Sequence, residues 1–139
     1  MVIQVSAQEN NYIKDVLDKV EQINNNIKRV GGHVDCSKKD SITGETICYS
    51  WTAIIVNDSS SIKRFDLFSE HNTFLRDWYI KNNEIIFCIE EGTYNGLKYQ
   101  QMYFIENMKI KYSEDDQLLP KEIVEAKYAE ISKEIVHLK

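Results

Sequence analysis

A chain of 139 residues, 42% hydrophobic and 28% charged, has the size and composition of one globular domain, which argues against a disordered polymer and against a membrane-spanning apolar run. At this length folding removes roughly two-thirds of the unfolded chain's surface from water, enough for one core. The net charge of −5 is spread along the chain rather than set against a Lys/Arg cluster, which argues against a nucleic-acid partner.

The first residues, MVIQVSAQEN, carry Val5-Ser6-Ala7 ahead of Gln8, a small-residue pattern like the end of a secretory signal peptide. Residues 1–7 are therefore read as a signal-peptide remnant or a disordered start, and residues 8–139 as a single α+β domain. The same Ser6-Ala7-Gln8-Glu9 also fits a helix capping box. Export to the periplasm or outside the cell is the expectation, with a cytoplasmic location as the alternative.

From about Glu9 to Arg29, Ile13, Val16, Leu17, Val20, Ile23, Ile27 and Val30 recur at spacings of three and four with charged residues between them, which predicts an amphipathic helix. Gly31-Gly32 then reads as its terminator. Next, Cys36 and Cys48 flank the turn-rich Ser41-Ile42-Thr43-Gly44. A hairpin there would bring the two cysteines together, and a disulfide closing about a dozen residues would contribute roughly 3 kcal/mol. Cys88 reads as a half-buried strand thiol.

YSWTAIIV and IKRFDLFS form a strand pair across Asn57 to Ser61, aligning Trp51, Ala53 and Ile55 with Phe65 and Leu67 on one side. Residues 76–92, RDWYIKNNEIIFCIEEG, and 100–116, QQMYFIENMKIKYSEDD, then repeat one pattern at an offset of about 24 residues. Asn82-Asn83 predicts a two-residue turn that sets Ile80 opposite Ile85, Trp78 opposite Phe87 and Arg76 opposite Ile89. With Glu106-Asn107 as the second turn, Ile105 meets Met108, Tyr103 meets Ile110 and Gln101 meets Tyr112. Gly92 to Gly96 joins the two hairpins. Finally Pro120 opens a helix in which Val124, Tyr128, Ile131, Ile135 and Leu138 alternate by four and three. The expected architecture is α+β: a twisted antiparallel meander sheet of about six strands, with N-terminal and C-terminal helices packed on one face.

Chemistry is harder to place. The histidines, His33, His71 and His137, sit in no recognised catalytic or metal motif, and no metal or cofactor is expected. His33 and Asp35, alternate residues on one side of a strand, are the best local acid–base pair. His71 beside Asn72 reads as a turn residue, and His137 as a surface residue at a helix terminus. Glu90-Glu91 and Glu114-Asp115-Asp116 lack the spacing of a calcium loop and read as solvated strand ends. Eight Tyr, five Phe and two Trp are the other handle: Trp51, Phe74, Trp78, Tyr103 and Tyr112 would line an apolar ligand cleft if the helices leave part of the sheet open, and would fill the core if they do not.

In WYIKNNEII and MYFIENMKI the chain resembles small exported proteins of unknown function from Gram-negative bacteria that stack hairpins behind an amino-terminal helix, over roughly residues 8 to 114. It departs from that pattern at Asn83 and Asn107, where a turn glycine is usual. The layout is also similar to cystatin-like and NTF2-like domains. The expected function is a non-catalytic periplasmic or secreted binding domain for an unknown protein or envelope component. The alternatives are a small-molecule-binding protein or hydrolytic enzyme using the aromatic cleft, and an immunity protein against a toxin.

Overall fold

The structure, a computed structural model, describes residues 7–39, 46–68 and 73–138, without the side chains of residues 7, 32–39, 46 and 47. Its elements are α1 (Ala7–Asn24), β1 (Arg29–Lys39), β2 (Thr46–Ile55), β3 (Ser60–Phe68), β4 (Thr73–Lys81), β5 (Glu84–Tyr94), β6 (Leu97–Glu106), β7 (Lys109–Glu114) and α2 (Lys121–His137). The seven strands form one antiparallel meander, each hydrogen-bonded to its neighbours in sequence. The architecture is thus the α+β meander that the hydrophobic periods predict, with seven strands rather than six.

Two-residue turns at Asn82-Asn83, Asn95-Gly96 and Asn107-Met108 close three of the hairpins, with φ of 52° and 63°, 51° and 78°, and 53° and 64°. Positive φ at both central residues gives such a turn the twist of the strands it joins, and Asn and Gly adopt it at least cost. The second repeat therefore turns one residue later than the pattern suggested: Glu106 pairs with Lys109, and Ile105 with Ile110.

The helices lie on opposite faces of the sheet, which corrects the expectation that both cover one face. Val16, Val20 and Ile23 of α1 pack with Ile54, Ile62, Tyr79, Phe87 and Phe104. Ile131 and Ile135 of α2 pack with Trp78, Ile85, Cys88, Tyr103 and Ile105. The physical cause is a β-bulge in each repeated hairpin. Ile80 stands opposite Ile85, but the next pair is Tyr79 with Phe87, so Ile86 is an extra residue. The same shift falls between Ile105–Ile110 and Phe104–Tyr112, making Lys111 extra. One added residue reverses the facing of everything beyond it, which sends Phe87 and Tyr112 to the α1 side. Strands with large apolar side chains on both faces need a cover on each.

The terminal helices differ in how closely their ends follow the apolar stripe. α1 stops at Asn24, five residues short of Arg29, where Asn24-Asn25-Asn26 turns the chain and Lys28 N–H bonds to Ile55 C=O at 3.0 Å. Ile27 and Val30, the last members of the apolar stripe, are 44% and 67% exposed, and Gly31-Gly32 belongs to β1. α2 begins behind Pro120, as predicted. Ile131 and Ile135 are fully buried, contributing about 1.5–3 kcal/mol each.

Candidate functional site

Under α2, charged side chains are sealed between helix and sheet. The bulge at Ile86 places Arg76 of β4 directly across from Glu90 of β5, where the pattern had set Arg76 opposite Ile89. Both side chains are 0% exposed. Arg76 Nε donates to Glu90 Oε1 at 2.8 Å and Nη2 donates to the same oxygen. Glu90 Oε2 accepts from Tyr99 Oη and from Lys127 Nζ, each at 2.7 Å. Arg76 Nη1 reaches Glu130 at 3.1 Å and Glu134 at 3.2 Å, and the Phe74 ring lies 4.7 Å from the guanidinium and 5.1 Å from Lys127 Nζ. Glu90 is therefore no solvated strand end.

Burial by itself raises the Glu90 carboxyl, but Arg76 and Lys127 outweigh it and hold the group below its ordinary range. For Glu134 burial prevails over Arg76, and its carboxyl is pushed up. Burial, reinforced by Glu90, raises the Tyr99 hydroxyl. Cys88, enclosed in the same interface, has its thiol pushed well up by burial, which makes it inert in the closed protein. These groups satisfy one another, so the cluster fastens α2 to β4, β5 and β6 instead of presenting an acid or base to a ligand.

The open chemistry lies beyond the end of α2. A groove of about 490 Å³ is bounded by Trp51 and Ala53 of β2, Lys63 of β3, and His137 and Leu138 at the end of the helix. Lys63 Nζ donates to Leu138 C=O at 3.4 Å, which fixes the helix end against the strand. Trp51 is half-buried, and its ring centroid lies 4.7 Å from that of Phe65. Phe65 continues the contact to Tyr49 at 6.1 Å and to Phe74 at 5.9 Å. The register Trp51↔Phe65 and Tyr49↔Leu67 confirms that Trp51, Ala53, Ile55, Phe65 and Leu67 share a side.

Of the five aromatic residues singled out in the sequence, Trp51 lines this groove and Phe74 ends its aromatic row while covering Arg76. Trp78 and Tyr103 lie on the same face but are fully buried beneath α2, and Tyr112 packs toward Phe104 on the α1 side, 5.7 Å between ring centroids. The five do not form one cleft. His137 is exposed at the groove's rim, and the side chains of His33 and Asp35 and all of His71 lie outside the described residues. Cys48 is a free thiol, and the Cys36 side chain lies outside the described residues. No group of His, Cys, Asp and Glu able to hold a metal ion occurs among the described residues, and none of their helices is long and apolar enough to cross a membrane. Tyr49 and Phe65 join the row through strand pairing, since the β2–β3 register sets Phe65 beside Trp51 and Leu67 beside Tyr49.

No family model matches the chain, and no curated protein or solved structure matches it.

Proposed function

We propose that this chain is a non-catalytic binding domain acting on a protein or envelope component, and that its working surface is the aromatic row over β2 and β3. The observation that carries the reading is the half-buried Trp51, packed at a tilt against Phe65 at the edge of a groove where α2 ends. Tyr and Trp supply large contact area at low entropic cost, and anchors of this kind dominate binding energies. Among the described residues, the buried charged groups under α2 are engaged with each other and not turned toward the groove: Glu90 holds Arg76, Tyr99 and Lys127.

Export belongs to the same proposal. The bulge of β1 between Asp35 and Lys38 contains Cys36 and lies across from Cys48 between Tyr49 and Ile47, so an oxidising compartment would favour joining them. Intact-mass measurement of the secreted protein with and without reductant tests this, and an unchanged mass removes the disulfide.

The binding surface is tested by indole N–H signals in NMR during titration with ANS and with a set of indole and phenol fragments. Trp51 should shift. Shifts confined to other residues, or none at all, would overturn the reading.

A further inference from the structure

α2 covers one half of a face whose other half is the aromatic row just described. Trp78 and Tyr103 lie beneath it, fully buried, and its last residues, His137 and Leu138, wall the groove beside Trp51. The helix takes no part in the strand ladders, so its departure would leave every sheet hydrogen bond in place. Its N-terminal tether is fixed independently: Asp116 accepts from Gln100 N–H and Leu118 N–H at 2.9 Å each, and Asp115 accepts from Gln101 Nε2 at 3.0 Å. A lifted α2 would stay attached at that point.

What holds the helix down is also unusual for a permanent cover. Ile131 and Ile135 are its fully buried apolar anchors, Leu138 packs beside them and accepts from Lys63 Nζ, and alongside them lies the charge cluster in which Lys127, Glu130 and Glu134 meet Glu90 and Arg76. Ion pairs taken from water add little net stability, because their desolvation offsets their attraction, and on opening each charge on α2 regains its hydration. Glu130 is already 49% exposed and Glu134 28%. The indole Nε1 of Trp78, without a partner beneath the helix, would gain one from water on opening.

We infer that α2 is a releasable cover, latched by Lys127, Glu130 and Glu134 onto Arg76 and Glu90, whose lifting joins Trp78 and Tyr103 to Trp51, Phe65 and Phe74 in one aromatic face. The inference extends the binding surface proposed above, and rests on that reading for its use but not for the motion itself.

Cys88 reports the opening, since its thiol is fully buried under α2. In a Cys36→Ser, Cys48→Ser variant, reaction of this remaining thiol with a disulfide reagent measures how often α2 lifts. Labelling should proceed at least about tenfold faster than global unfolding allows and with weaker denaturant dependence, as sub-global opening requires. Lys127→Met, which keeps the packed stem and removes the ion pair, should speed it about tenfold more. In the unaltered chain, amide exchange across residues 121–138 should likewise outpace that of β5. Labelling and exchange that both coincide with global unfolding would overturn the inference. Early labelling of Cys88 in a chain whose Trp51 binds none of the probes would keep the cover and reject the binding surface.

Discussion

Arg76 and Glu90 face each other across β4 and β5, joined at 2.8 Å with neither side chain reaching solvent. Glu90→Gln leaves the guanidinium buried with weaker compensation and should cost about 3 kcal/mol at neutral pH in chemical denaturation. The pH profile separates the two carboxylates. Glu90, held below its unfolded value, adds stability above about pH 4.3 that is lost as pH falls through its folded value. Glu134 is raised, so its contribution has the opposite sign: present at low pH, lost as pH climbs through its folded value. Glu90→Gln should therefore flatten the acid limb, while Glu134→Gln should retain it and change neutral stability by less than about 1 kcal/mol.

Gly92 is where β4 and Tyr99 crowd the chain. A Cβ added there would meet Thr73 C=O at 2.6 Å, Tyr99 Oη at 2.8 Å and Phe74 Cβ at 2.9 Å. Gly92→Ala should cost about 1–3 kcal/mol in thermal or denaturant unfolding. It should also displace Tyr99 from Glu90, visible as a lowered Tyr99 ionisation in ultraviolet titration.

Met108 occupies a left-handed turn position at φ 64°, a conformation costly to a residue with a Cβ. Met108→Gly should stabilise the protein by about 0.5–1 kcal/mol, read as a higher denaturation midpoint with unchanged slope.

The helices, strands and hairpin order were legible because each rests on a local period or a turn residue: Asn82-Asn83 has the positive φ its sequence predicts, and Pro120 opens α2. The bulges were not. Ile86 and Lys111 look like any other strand residue, yet each shifts its ladder by one, and that alone decides whether Phe87 sees α1 or α2 and whether Arg76 meets Ile89 or Glu90. The repeat itself held a hint. Both copies bulge at the same place, so Trp78 corresponds to Tyr103 and Phe87 to Tyr112, one position off the alignment suggested by the shared tyrosine and asparagine. Of the candidate site, Trp51 was visible from strand pairing, whereas the burial of Trp78 and Tyr103 depends on where α2 lands.

The two tryptophans should behave differently in solution. Trp51 is half-buried at the groove and Trp78 is 0% exposed. Acrylamide should quench the emission of wild-type protein in part, and Trp51→Phe should leave a blue-shifted signal that resists quenching.

The account depends on one helix covering each face of the sheet, so that α2 ends beside Trp51 and leaves the β2–β3 aromatics open. Nuclear Overhauser contacts from the ring protons of Phe87 and Trp78 measure this directly. Phe87 should report Val16 and Val20 of α1, and Trp78 should report Ile131 and Ile135 of α2. Contacts from both rings to the same helix would contradict the architecture and the binding surface drawn from it.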